Sequence, residues 1–223
     1  MDPKKQGKTL WEMLMERLRS GNGEGIAFEN PLDLRVGAPV AIAAAQGPDY
    51  ANYTLTVQEI REYTRRIGEK EFRFTDYVLR GVNTNTFAAG DVMSARMRVV
   101  PNAAGAHDRL LLRLYDGFAF AEDFLGVLGD PSGLLEVSEE RTDTMHEFYR
   151  INELREPYEA AVLVVAGTTP EGKAVSGNCS SLKLRYWDYW RDQETEAKEF
   201  LFVEQNEETG WFQIWRGTEQ FEV

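Results

Sequence analysis

From Tyr53 onward, apolar and polar residues tend to alternate, the period of a strand with one face turned inward. Leu55 and Val57 alternate with Thr54, Thr56 and Gln58, and Phe72 and Phe74 alternate with Arg73 and Thr75, across a connection containing Gly68. The pattern predicts a β-hairpin. Val92–Val100 and Arg109–Phe120 read as further strands around the loop Pro101–Gly105, and Ala121–Leu128 as one or two helical turns before the turn Asp130-Pro131-Ser132-Gly133. Past a polar, acidic stretch at Glu136–Glu147, strands are expected over His146–Leu154 and Tyr158–Gly167. In the second, the run Ala160–Ala166 is continuous enough to predict a strand shielded on both faces. Three more are expected near 179–191, 199–205 and 211–217, with a short last one near 219–223.

The N-terminal pattern has another period. Thr9-Leu10-Trp11-Glu12 has the form of a capping box, in which hydroxyl and carboxylate satisfy the first free amides of a helix. Leu10, Trp11, Leu14, Met15 and Leu18 then recur on one face until Ser20-Gly21-Asn22-Gly23 ends the pattern. So short a helix needs its apolar stripe docked, on its own domain or on a partner. For Leu34–Ala45, periodicity does not decide between an extended segment and a short buried helix.

These elements predict an α+β, mainly β protein: an N-terminal amphipathic helix plus antiparallel β-meanders forming one or two small barrel- or sandwich-like halves. The expected divisions are 1–27 (helix and linker), 28–138 (first β-rich half) and 139–223 (second, aromatic and acidic half). Leu55, Val57, Ile60, Tyr63, Phe74 and Asp76 align with Leu182, Leu184, Trp187, Trp190, Phe202 and Glu204 if one residue is inserted, which raises a duplication as one explanation. The cadence is similar in a general way to that of small β-rich bacterial domains; no residue role follows from that likeness.

Nine of the 30 residues from Tyr186 to Trp215 are aromatic, including four of the five tryptophans. Alternation puts Tyr186, Asp188 and Trp190 on one strand face and Trp187, Tyr189 and Arg191 on the other. Likewise, Trp211, Gln213 and Trp215 oppose Phe212, Ile214 and Arg216. Both faces therefore need covering. One reading fills a core with one face and covers the other with the first half or the N-terminal helix. The alternative makes Trp211, Gln213 and Trp215, with Asp188 and Trp190, a platform on which a sugar or peptide stacks. The basic residues Arg61, Arg65, Arg66, Lys70 and Arg73, interspersed with Glu59, Glu62, Glu69 and Glu71, read as a solvated hairpin face.

Charge narrows the partners. The chain carries 25 basic and 37 acidic residues, a formal net charge of −12, which repels phosphate backbones and anionic headgroups. Nucleic acid and membrane are not expected. A single cysteine, Cys179, fits a reducing compartment. The longest apolar run, Ala38–Ala45, is far shorter than the ~20 residues that span a bilayer, so a cytoplasmic protein is expected. In that compartment the Asn-x-Ser/Thr matches at Asn52 and Asn178 carry no meaning.

Motifs of chemistry are scarce. His107 and His146 are far apart, with no H-x-x-x-H or C-x-x-C spacing to suggest a metal. Ser132 stands one position too late for a nucleophile elbow, Cys179 reads as a small packed hydrophobe, and the G-x-G of Ser20–Gly25 places Glu24 where a phosphate would sit. No catalytic residue, metal or cofactor is predicted. The expectation is a non-enzymatic acidic interaction or accessory module that holds a protein partner, or a second copy of itself, through the aromatic sheet or through Trp11 and Leu14 of the N-terminal helix. The alternative is a small-ligand or carbohydrate-binding barrel with Trp190, Trp211 and Trp215 in its pocket, and a hydrolase or isomerase stands third.

Overall fold

Eight long strands close on themselves in a computed structural model of the protein, which describes residues 30–42, 50, 52–67, 70–83, 92–101, 106–139, 144–151, 157–168, 174–192 and 198–220. The first meander is β2 (Tyr53–Ile67), β3 (Lys70–Asn83), β4 (Val92–Pro101) and β5 (His107–Phe118). The second is β8 (Tyr158–Thr168), β9 (Ala174–Asp192), β10 (Lys198–Asn206) and β11 (Phe212–Gln220). Antiparallel pairing of β8 with β2 and of β11 with β5 joins the meanders along both edges. Closure leaves these eight strands no free edge.

Between the meanders run α1 (Glu122–Leu128), β6 (Leu134–Glu139) and β7 (Thr144–Arg150). The hairpin β6–β7 occupies the acidic stretch and attaches to the end of β9, where Tyr149 pairs with Trp190. A two-residue strand, β1 (Pro39–Val40), flanks β2 at Leu55 and Thr56, so the described part of Leu34–Ala45 is extended. The described residues hold one short helix; Trp11, Leu14 and the capping box lie outside them. None of the described helices is long and apolar enough to cross a membrane.

Strand alternation divides the core into an inside and two outer layers. Inside, Leu110, Leu112, Tyr158, Tyr186, Phe200, Phe202 and Trp215 pack together, next to Tyr63, Phe74, Val100, Ala160, Val162 and Leu184. The outer aromatics Trp187, Tyr189 and Phe212, with Ile214, are covered by Leu128 of α1 and by Leu135, Val137 and Phe148 of the hairpin. On the opposite side, Leu55, Val57, Tyr77 and Leu79 lie beneath Leu32, Leu34, Val36, Val40 and Ile42. The α1 helix has no side-chain N-cap and depends on such contacts: Phe124 meets Phe118 and Phe212 edge-on at 5.1 and 5.3 Å.

The apolar run in β8 is central and paired on both sides, and Val165 and Ala166 pack against the outer layer over Leu55 and Val57. Val162 and Val164 are buried inside while Ala161 is exposed outside. The last strand is also longer than the sequence predicts, since β11 continues through Glu219 as one element. The proposed internal alignment equates β2 with β9, although the first strand of the second meander is β8.

Candidate ligand site at the barrel mouth

Three buried arginines stand inside the barrel against three buried carboxylates, at positions that alternation directs inward. Arg98 grips Asp76 with both fork nitrogens, Nε to Oδ1 and Nη2 to Oδ2, each at 2.8 Å. It also donates from Nη1 to the Tyr186 hydroxyl. Arg96 donates from Nη1 to both Glu204 oxygens at 2.8 and 2.7 Å and to the Tyr63 hydroxyl at 2.9 Å. Arg65 donates from Nη1 to Asp188 Oδ2 at 2.9 Å. Aromatic faces complete the surroundings: Arg96 lies 3.8 Å from the Trp215 ring centroid, Arg98 4.3 Å from Phe74 and Arg65 4.3 Å from Tyr158.

Burial disfavours every one of these charges, and the pairing offsets it unequally. For Arg98, burial acts against the charged form, but Asp76 and Tyr186 outweigh it and hold the pKa well above the usual value. Burial prevails at Asp188, whose single end-on bond to Arg65 leaves its carboxyl pKa raised. Tyr63, Tyr158 and Tyr186 are all pushed above their ordinary range, chiefly by desolvation.

At one end this network opens into a cavity of about 250 Å³ lined by Arg61, Leu182, Leu184, Glu204, Asn206, Thr209, Trp211 and Gln213. The β10–β11 turn builds its rim. Asn206 Oδ1 accepts from the amides of Glu208 and Thr209 at 2.9 and 3.0 Å, and Gly210, at φ +71°, supplies the left-handed step that brings the chain back. Trp211 follows, with its amide 3.3 Å from Thr209 Oγ1, and stands half-exposed beside Gly117, where a Cβ would lie 3.4 Å from the indole nitrogen.

Charge at the mouth is already compensated. Arg61 bonds Glu59 at 2.6 Å and Glu204 is held by Arg96. Gln213 Oε1 accepts from Arg96 Nη2 at 3.1 Å, which fixes the amide and leaves its Nε2 group as a donor. The mouth therefore offers donors, acceptors and a flat ring without net charge.

Of the residues singled out in the sequence, Trp211 and Gln213 line this cavity. Trp215 lies beneath it, 3% exposed and stacked on Arg96. Asp188 is fully buried with Arg65, four residues beyond Arg61 on β2, about 13 Å at the rise of an extended strand. Trp190 is half-buried with the Lys198 Nζ 4.5 Å from its ring centroid. The backbone of Cys179 lies on β9, and its side chain is outside the described residues.

Arg61 and Arg65 leave the expected solvated face and point into the barrel, while Arg66 and Arg73 remain on it, paired with Glu71. Periodicity missed Arg61, Asp76, Arg96 and Glu204 because it scores charges as outward. A usable signal was present: Arg61 and Arg65 flank Tyr63, Asp76 follows Phe74 and Glu204 follows Phe202 at a spacing of two, on the same strand face. Among the described residues no group of three metal-ligating side chains converges. Comparison with known proteins gives no match: no family model, curated sequence or solved structure aligns with the chain.

Proposed function

We propose that the protein is a small-ligand-binding β-barrel whose mouth takes a neutral, polyhydroxylated molecule of monosaccharide size. The observation that carries this reading is the half-exposed Trp211 ring standing over a concave cavity with compensated charges and free hydrogen-bonding groups. A pyranose presents an apolar C–H face to such a ring and hydroxyls to Gln213 Nε2, the Thr209 hydroxyl and Arg61. The cavity is smaller than the ~300–1,000 Å³ of drug-sized sites, which favours one sugar ring. Titration with a panel of monosaccharides, followed by tryptophan fluorescence and NMR shifts, tests this. Trp211→Ala is expected to weaken the best sugar about tenfold, roughly 1.4 kcal/mol. The reading fails if no sugar binds at tens of millimolar or if the variant binds equally.

A protein partner is the second reading, favoured by the exposed Phe120, which lies against Gly210 beside Trp211. Phe120→Ser together with Trp211→Ser would then abolish self-association on gel filtration, with no sugar dependence.

A further inference from the structure

We propose that the barrel holds a second, deeper site in which Arg65 and Asp188 together bind a small carboxylate of formate or acetate size. The two residues engage each other through one nitrogen and one oxygen only. Arg65 Nε, Arg65 Nη2 and Asp188 Oδ1 have no hydrogen-bond partner among the described residues, although Arg65 is 4% exposed and Asp188 fully buried. Nε and Nη2 form the guanidinium edge whose parallel N–H groups match the two oxygens of a carboxylate. Paired polar groups are the rule in protein interiors, so an idle fork beside an idle carboxylate oxygen marks a place for a third group.

Charge decides the form in which that group binds. Arg65 and Asp188 are neutral as a pair, and an added carboxylate would leave one buried negative charge. Protonation of Asp188 removes it: Oδ1–H donates to the guest, Arg65 donates two hydrogen bonds, and one proton is taken up from solvent for each anion bound. Burial already raises the Asp188 pKa and so favours this uptake. The groups facing Asp188 are Arg65 from β2, Arg98 from β4, Tyr158 from β8 and Tyr186 and Tyr189 of its own strand. Burial or charge pairing raises the pKa of Arg98 and of the three tyrosines above their ordinary values, which leaves Asp188 as the proton acceptor.

Acetate and formate binding to the full chain, measured by calorimetry and NMR from pH 5 to 9, provides the test, with acetamide as the uncharged control. The expected affinity falls tenfold per pH unit above the pKa of Asp188, and acetamide does not bind. Arg65→Lys, which keeps the charge and removes the fork, weakens acetate at least tenfold, and Asp188→Asn makes binding independent of pH. Where a variant does not fold, the wild-type pH series and the acetamide control decide. Failure of both anions to bind at pH 5, equal binding of acetamide, or absence of the falling limb overturns the proposal. So does a comparable loss in Arg61→Gln, which would place the anion at the mouth. Sugar binding at the mouth is measured independently, so either site stands or falls alone.

Discussion

Arg98 shows what a charge does inside this barrel. Its fork matches both Asp76 oxygens, its remaining nitrogen reaches Tyr186, and Phe74 and Phe202 lie against its flat face. Removing one partner of such a pair strands the other in a low-dielectric interior, which costs far more than the pair itself contributes. Arg98→Met is therefore expected to lower the urea-unfolding free energy by about 3–5 kcal/mol. Arg98→Met with Asp76→Leu should recover much of that loss, because no orphaned charge remains. If the single variant loses less than about 1 kcal/mol, the pair is not the buried, desolvated unit described. Trp215 makes the complementary point: its aromatic identity was evident in the sequence, but its service as the surface under Arg96 was not.

Elements were the most legible level. Hairpin β2–β3 runs through Leu55, Val57, Phe72 and Phe74 as alternation predicts, and α1 begins one residue after the helical turns were expected. What could not be read was which chain segment covers each face. The outer aromatics of β9–β11 lie under α1 and the β6–β7 hairpin, a segment whose acidic, polar sequence suggested a boundary. Its Leu135, Val137 and Phe148 carry the apolar side of that cover, while Glu136 and Glu147 face water. Gly217 sets the close approach of β11 to β5, since a Cβ there would lie 2.1 Å from the Leu111 carbonyl oxygen. Backbone cannot yield as a flexible side chain does. Gly217→Ala should destabilise by at least about 1–3 kcal/mol, the usual range for overpacking, and hydrogen exchange should accelerate first along the β5–β11 ladder. Unchanged exchange there would show that the ladder absorbs the methyl.

Closure of the two meanders buries three tyrosines where ionisation is disfavoured. Tyr63, Tyr158 and Tyr186 have folded pKa values raised above the ordinary 10 by burial, so the folded state retains protons that the unfolded chain releases. Stability linked to these groups is complete below about pH 10 and declines as pH rises beyond it. In an alkaline titration at 295 nm, the exposed tyrosines should ionise smoothly and the buried ones in one cooperative step together with loss of the near-ultraviolet dichroism. Smooth ionisation of all nine tyrosines with the dichroism intact would contradict the burial of Tyr63, Tyr158 and Tyr186.

The sequence by itself determined the β character, the strand positions and the aromatic density, because periodicity and propensity are local properties that each segment carries alone. Only the tertiary structure decided that two meanders form one barrel, that arginines face inward and that Trp211 rather than Trp190 or Trp215 lines the cavity. An inward charge becomes tolerable only when a partner from a strand dozens of residues away arrives to meet it. Arg96 needs Glu204, and Arg65 needs Asp188. No local window contains both members of either pair, so the chemistry of this interior exists only once the ring of strands is closed.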